Sequence, residues 1–381
     1  MRFRKKKNDN QASVVQTAQR EISPPFCSID RYVPLATAEY ELYSSLREAV
    51  PIIDAAIDKT VRLVGGFKVN CKNKSVEAQI NSFLINVRSG GCNRGISAFL
   101  SAYLNQLLTF GTAVGEIVLT GSGRDIYSLY NAPLKSIELT LADNGVDTQV
   151  CLAEAAGEKK LLPYQNLLLV SALNPEPGKL NGTSLLKGLP FVSSVLLKIY
   201  NTIGVNWDRV GNVRFAVTYK PSNDSDRAMS RQRAIQVAEE WSKAMHGGER
   251  VSDFVSVGDV SIKVIGADNQ ILDSEIPVKQ MLEQIVAKLS IPPFLLGLSW
   301  STTERMSSQQ ADILTSELEY YRGILNGTVR KICDTWLQIK GFKSDYEIVW
   351  DNINLQDEVE LAQARLYNAQ ALEIEKNLEG I

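Results

Sequence analysis

Residues 282–297 read LEQIVAKLSIPPFLLG, and the pattern of this stretch changes part-way along it. Its first half has apolar side chains at positions 282, 285, 286 and 289, the three- and four-residue spacing that predicts an amphipathic helix. Pro292 has no backbone donor and restricts the residue before it, so the helix cannot run through this proline. The sequence therefore predicts a helix that ends in a rigid, apolar corner made by Pro292, Pro293, Phe294, Leu295, Leu296 and Gly297.

A polar loop around a single tryptophan is predicted to follow the corner, over residues 299–308. Trp300 either anchors this loop in a pocket or projects toward a partner, and the sequence leaves both interpretations open. Beyond the loop, apolar residues at helical spacing predict a helix over 308–340, about 50 Å long at roughly 1.5 Å per residue. The loop residues are Ser299, Trp300, Ser301, Thr302, Thr303, Glu304, Arg305 and Met306.

The region before the corner is predicted to be a small insert between two helices. The first helix, 189–207, has an apolar side and a distinctly polar side. The predicted insert then contains a strand over 213–219, a charged helix over 225–245 and strand-like runs over 254–257 and 260–265. The helix of the opening stretch, for which Pro277 suits the first position, closes the insert. Two helices thus leave one body and return to it around roughly 65 residues.

The first 185 residues are predicted to form an α+β domain behind a loosely held arm, residues 1–35. Apolar spacing and turn residues predict one helix over 44–64, another over 96–108, a hairpin turning at Gly121–Arg124, and strands over 136–141 and 148–152. After the long helix, a strand over 346–350 and a final helix over 355–378 are predicted.

Charge and composition exclude several classes of protein. The 381-residue chain has 41 basic and 43 acidic residues and a formal net charge of −2, which excludes nucleic-acid binding by bulk positive charge. Hydrophobic residues make up 44% and charged residues 22%, as in ordinary folded proteins. No stretch approaches the roughly 18 uncharged apolar residues of a membrane-spanning helix. Polar residues follow the basic start where a signal peptide needs an apolar run. We expect a folded protein with no membrane contact.

Motifs for catalysis are missing from the sequence. His246 is the single histidine, and its place beside Gly247 suits a solvated helix end better than a general base. The five cysteines are scattered without metal-ligand spacing. No GxxxxGK followed by Ser or Thr is present to bind phosphate, and the nearest approach to a nucleophile elbow, residues 297–301, lacks its closing glycine. We therefore expect a protein that is not an enzyme and needs no cofactor or metal.

Several motifs occur in a fixed order along the chain. An amphipathic helix ends in a hydrophobic residue, two prolines and Leu-Leu-Gly, and a Ser/Trp-containing loop and a long helix follow. This order resembles the portal proteins of tailed bacteriophages, over about residues 40–350. The further positions that match the family's layout are Gly111, Glu116, Gly121, Gly182, Thr183, Ser184, Leu185, Leu186, the helix 231–241, Gly247, Gly248, Arg250, Gln309 and Gln310.

The resemblance implies an α+β portal fold that assembles as a ring. By similarity, residues 1–35 are a flexible arm, 36–188 form the wing, helices 189–209 and 274–290 form the stem, and 210–273 form a small α/β clip. Residues 291–308 would be the corner and the tunnel loop, 309–350 the long wing helix and strand, and 351–381 a short crown helix.

The resemblance also implies a function. Portal proteins form a ring, in the family a dodecamer, at one capsid vertex, through which double-stranded DNA is packaged and ejected. The implied partners are terminase, then the head–tail adaptor, and the major capsid and scaffolding proteins. The implied location is the portal vertex of the virion, after assembly in the host cytoplasm. A net charge of −2 suits such a channel, because each phosphate neutralised by a basic side chain would add affinity and drag.

Two other classes remain open. One is a different ring-forming head–tail connector, such as a tail adaptor, which the order of helix, insert, helix and IPPFLLG corner fits less well. The other is a DNA-packaging enzyme such as an ATPase or a nuclease, against which the missing phosphate-binding motif and the single histidine argue.

Overall fold

The structure is a computed structural model that describes residues 36–153, 159–211, 214–220, 259–265, 274–298 and 304–353, with single positions between 232 and 239 and between 366 and 370. Some predictions fall outside these residues. They are the arm 1–35, most of the helix 225–245, His246, the run 254–257, loop residues 299–303 with Trp300, and most of the helix 355–378.

Helices and strands are interspersed along the chain, which confirms the predicted α+β class. The larger body, residues 36–188 with 304–353, is called the wing. Its first part contains α1 (Ala36–Ala49), α2 (Pro51–Leu63), β1 (Phe67–Cys71), α3 (Lys74–Asn86), β2 (Arg88–Ser89), β3 (Asn93–Arg94), α4 (Ile96–Phe110), β4 (Thr112–Leu119), β5 (Ile126–Asn131), β6 (Ile137–Leu141), β7 (Thr148–Ala153), β8 (Lys159–Leu161) and β9 (Leu168–Ala172). The remainder contains α5 (Leu189–Gly211), β10 (Arg214–Lys220), β11 (Asp259–Ile265), α6 (Glu275–Leu289), α7 (Glu304–Lys340) and β12 (Tyr346–Trp350).

The strands form separate small sheets. A five-stranded sheet has the order β3-β2-β5-β4-β9, in which only the β2–β5 pair is parallel. A three-stranded antiparallel sheet has the order β6-β7-β8, and two antiparallel pairs join β1 to β12 and β10 to β11. The predicted hairpin is the β4–β5 pair, whose turn is closed by Thr120 and Asp125.

Two apolar clusters hold these layers together. The larger one includes Phe99, Tyr103 and Leu107 of α4 and the inward side of α7. Burial of such side chains stabilises the fold by roughly 1.5–3 kcal/mol each. The smaller cluster contains Val114, Leu134, Val150 and Leu168, so it joins β4 and β9 of the five-stranded sheet to β7 of the three-stranded one.

A buried arginine fixes the long helix α7 to the rest of the wing. The guanidinium of Arg322 donates from Nε and Nη2 to the carbonyl of Val64 at 2.9 and 2.7 Å, and from Nη2 to the carbonyl of Asp351 at 2.7 Å. Val64 lies at the end of α2, where helix carbonyls have no partner within the helix. One side chain thus joins the end of α2, the middle of α7 and the residue after β12.

Three details of the predicted helices are wrong. The single helix predicted over 44–64 is two helices, because Val50 precedes Pro51 and leaves the helical region with φ −122° and ψ 89°. Pro277 is the third residue of α6, not the first. Helix α7 begins at Glu304, earlier than the predicted 308, so Glu304, Arg305 and Met306 belong to its first turns and not to a loop.

Among the helices of the described residues, none is long and apolar enough to cross a membrane.

Candidate functional site: a helix pair held at two joints

The helices predicted as a stem lie side by side. Helix α5 leads away from the wing and α6 leads back, and Leu189, Leu196, Ile285 and Leu289 are buried where the pair meets the large apolar cluster. Strands β10 and β11, which pair with each other, follow α5 and precede α6. The pair is attached to the wing at two joints, one before α5 and one after α6.

The first joint is a close approach of two glycine backbones. A Cβ atom on Gly111 would lie 2.6 Å from the carbonyl oxygen of Gly182, and one on Gly182 would overlap the carbonyl oxygen of Gly111 and the backbone of Leu173. Gly111 also has φ 80°, the left-handed conformation that ends α4 and favours glycine. Only residues without side chains fit at these two positions.

Hydrogen bonds from Gly182–Leu186 close the end of α4. The Ser184 hydroxyl donates to the carbonyl of Thr109 at 2.6 Å, and the backbone N–H of Leu185 donates to the carbonyl of Leu108 at 3.1 Å. These carbonyls belong to the last turn of α4 and lack partners within the helix. The segment that leads into α5 is therefore fixed to the end of α4, which explains the glycine at 182 and the serine at 184.

The second joint is the predicted apolar corner. Helix α6 ends at Ser290 with φ 53°, and Pro293–Leu296 form a 3₁₀ turn that ends at Gly297 with φ 76°. Ile291 and Pro292 are buried, whereas Phe294 is exposed. The ammonium of Lys59, from the middle of α2, donates to the carbonyl of Leu295. The corner predicted from Pro292 to Gly297 thus exists as a tight turn held against α2.

The predicted tunnel-loop residues fall into two groups. Ser299, Trp300, Ser301, Thr302 and Thr303 lie outside the described residues. Glu304, Arg305 and Met306 begin α7. Contact of either group with DNA stays a prediction.

The end of the helix pair farthest from the wing exposes apolar side chains. Trp207 on α5 and Ile276 on α6 are each 63% exposed, and Tyr200 and Val205 of α5 are also exposed. Helical spacing placed Trp207 on the apolar side of α5, but it did not predict that this side chain is exposed in a single chain. Tyr200 and Trp207 are seven residues apart and therefore lie on the same side of α5. Uncovered apolar side chains on one side of a helix favour an interaction surface.

The helix pair carries almost no net charge. Helices α5 and α6 contain four basic residues, Lys198, Arg209, Lys279 and Lys288, and three acidic ones, Asp208, Glu275 and Glu283. A surface of this kind has little electrostatic attraction for a phosphate backbone.

Two side chains with raised pKa values, Tyr103 and Cys333, lie in the core. Burial raises the pKa of the Tyr103 hydroxyl, bonded to Ser171, to about 12. Burial also raises the pKa of the Cys333 thiol to about 12, which keeps it protonated and unreactive. Within the described residues, no group of three or more His, Cys, Asp and Glu side chains could hold a metal ion.

Solved structures share this architecture. No family model and no curated protein matches the chain. A chain in the virion of a native gene transfer agent particle aligns with a TM-score of 0.63 and 12% sequence identity, covering 90% of both chains. A chain in the neck of the native particle, computed with C12 symmetry, aligns with a TM-score of 0.62 and 12% identity, covering 86% of this chain and 88% of that one. The fold is that of a chain of these particles.

A crystal structure of an HK97-family phage portal protein from Corynebacterium diphtheriae also aligns, with a TM-score of 0.43 and 11% identity, covering 81% of this chain and 94% of that one.

Proposed function

We propose that this chain is a phage portal protein, a structural component of the virion. Copies of it would form a closed ring, a dodecamer, at one capsid vertex, and double-stranded DNA would enter and leave through the ring. The protein would act by passing DNA and docking other proteins, and it would catalyse no reaction.

The exposed apolar end of the α5–α6 pair carries this proposal. Trp207, Tyr200 and Ile276 are uncovered in a single chain, and burial of each large apolar side chain contributes roughly 1.5–3 kcal/mol. A second copy placed beside the first can cover them, and repetition of such a heterologous contact closes a ring. A chain with this fold occurs in a neck that was computed with C12 symmetry, which supports the closed arrangement.

The charge of the helix pair supports a role as a conduit. A channel that moves DNA in both directions has to avoid tight phosphate binding, since each neutralised phosphate adds affinity. With four basic and three acidic residues, the helix pair meets this condition.

Further roles follow for the other predicted parts. Helices 189–209 and 274–290 would be the stem, and residues 210–273 the clip that docks terminase and then the head–tail adaptor. Residues 36–188 and 309–350 would be the wing, facing the major capsid and scaffolding proteins. The corner and residues 299–306 would lie at the tunnel, and residues 351–381 would be a short crown.

Electron microscopy of the purified protein tests the ring. We expect the native chain to form rings with an axial hole. Trp207→Glu places a charge in the proposed contact, so it should raise the protein concentration needed for half-maximal assembly by at least about tenfold, with an unchanged circular dichroism spectrum.

Val146→Glu is the matched control, because Val146 is also apolar and exposed but lies in the turn between β6 and β7. This variant should form rings as the native chain does. A native protein that stays monomeric at every concentration would overturn the proposed function. Normal assembly of Trp207→Glu would overturn the contact through the helix pair.

A further inference from the structure

A groove with an aromatic floor lies on the wing, away from the helix pair. Its volume is about 620 Å³, and its walls come from α3, the start of β5 and the end of α7. Phe83 and Trp336 stack in it with ring centroids 5.6 Å apart. This volume is large enough for several side chains of a protein partner.

Arg88 lines this groove and Arg94 lies beside it on the paired strand, and neither has an acidic partner among the described residues. Arg88 of β2 and Arg94 of β3 are directly opposite each other in the strand pair, so both point to the same face. Both are exposed, and no carboxylate among the described residues is within ion-pair distance of either one. Like charges placed opposite each other in a sheet are destabilising, so the arrangement favours an anionic partner.

The other groups at the edge hold Arg88 in place and do not neutralise it. Its Nη1 donates to the Tyr127 hydroxyl at 2.7 Å, and its guanidinium lies 5.0 Å from the centre of the Tyr127 ring. Asp125 is bound to Lys340 at 2.7 Å. The groove therefore offers an apolar floor, the positive charge of Arg88 held by Tyr127, and a second positive charge beside it at Arg94. These groups suit a peptide that is both acidic and apolar.

Residues 354–381 of this chain have that chemistry. They contain six acidic and two basic residues, together with leucines and isoleucines. Leu366 and Tyr367, which are helical, are 56% and 66% exposed in a single chain. This segment is therefore apolar as well as acidic, and its described apolar side chains are uncovered.

The course of β12 leads away from the groove of the same chain. The Tyr346 hydroxyl donates to Asp334 of α7 at 2.6 Å, and Trp350 Nε1 donates to Asn326 at 2.8 Å. The groove lies beyond Asp334, at Trp336 and Lys340. The strand thus runs back along α7, and the step from Trp336 to Asn326 is about 15 Å at the rise of a helix.

We propose that residues 354–381 of one copy bind in the groove of a second copy, with their acidic side chains at Arg88 and Arg94. This inference rests on the proposed ring, which supplies the second copy. It gives the residues expected to form a crown a defined docking site on the neighbouring wing.

Photo-crosslinking in the full-length protein tests the contact. Leu366 is replaced by p-benzoylphenylalanine in a mixture of isotopically light and heavy chains, and crosslinked peptides are identified by mass spectrometry. We expect crosslinks between light and heavy chains at groove residues such as Gln79, Ser82 and Tyr127. Arg88→Glu with Arg94→Glu should lower their yield at least about fivefold, and adding Glu373→Lys and Glu375→Lys should restore it.

Arg62→Glu is the control, because Arg62 is an exposed arginine on α2 away from the groove, and it should leave the yield unchanged. Ring formation is measured in the same samples by mass photometry. Rings that give no groove crosslinks, or crosslinks only within one chain, would overturn this inference and leave the proposed function standing. Chains that never assemble would overturn both.

Discussion

Both joints attach the helix pair to the wing, but they do so through different kinds of contact. Before α5, the backbones of Gly111 and Gly182 touch, and Ser184 and Leu185 bond to the end of α4. After α6, two prolines fix the corner, and one lysine from α2 bonds to it. The first joint depends on contacts distant in sequence, whereas the second depends mainly on its own residues.

This difference determines how each joint responds to change. A backbone-to-backbone contact cannot adapt to an added atom, because neither side can move without displacing a helix or a strand. A proline turn keeps its conformation through its own rings, so loss of one outside hydrogen bond loosens it without unfolding it. We therefore expect large, global effects at the first joint and small, local effects at the second.

The largest effect is expected for Gly182→Ala. The new Cβ would overlap the Gly111 carbonyl oxygen and the Leu173 backbone, so the joint would have to open. The free energy of unfolding should fall by about 3 kcal/mol or more, measured by chemical denaturation. Gly204→Ala is the control, because Gly204 lies within α5 and no heavy atom of the described residues is close to where its methyl group would lie. This variant should gain about 0.5–1 kcal/mol. Equal free energies of unfolding for Gly182→Ala and Gly204→Ala would contradict the clash expected at the first joint.

A smaller effect is expected for Lys59→Met. It removes the hydrogen bond to the Leu295 carbonyl but keeps most of the side chain's apolar length, so the loss should be about 1 kcal/mol. Amide hydrogen exchange should quicken at residues 293–298 and stay unchanged in α4. Arg62→Met, on the same helix but largely exposed, should alter neither region. Faster exchange across the whole wing would mean that a change at the second joint has global effects, as is expected at the first joint.

The same contrast explains what could be predicted from sequence. The corner Pro292–Gly297 was predicted because proline restricts its own backbone, and the strand Tyr346–Trp350 was predicted with its observed ends. The partner of the corner, Lys59, was not predicted, since nothing in the pattern of α2 separates it from other charged residues. The role of Gly182 at this joint was not predicted, because the clash that requires glycine involves Gly111, a residue far away in sequence.

Other misses had a local signal. Helix α3 was not predicted, although Val76, Ile80 and Leu84 are spaced by four and Asn73 caps the first turn. Strand β1 was not predicted either, although the apolar residues Phe67, Val69 and Cys71 alternate with polar ones as in a half-buried strand. The groove on the wing was missed as well, and its one sequence signal was two arginines on either side of a Gly-Gly turn without nearby acidic residues.

The smallest effect is expected at Glu176, in the segment before the first joint. Lys179 and Lys187 hydrogen-bond to this carboxylate and lower its pKa to about 2. Because its pKa in the folded state lies below its ordinary value of 4.5, its contribution is present above that value and is lost as the pH falls toward about 2. Glu176→Gln should thus lower Tm at pH 7 by about 1 °C or less, since exposed pairs contribute little.

The Tm difference between the native chain and Glu176→Gln should shrink as the pH is lowered below about 4.5 and vanish below about pH 2, where the native side chain becomes mostly neutral. It should also shrink in 1 M salt, because screening weakens exposed ion pairs. Glu347→Gln is the control, since Glu347 is exposed on β12 and has no ion pair among the described residues. A Tm difference that persists at low pH would mean that Glu176 acts through packing and not through charge. The segment before the first joint would then depend on close packing, as the first joint does.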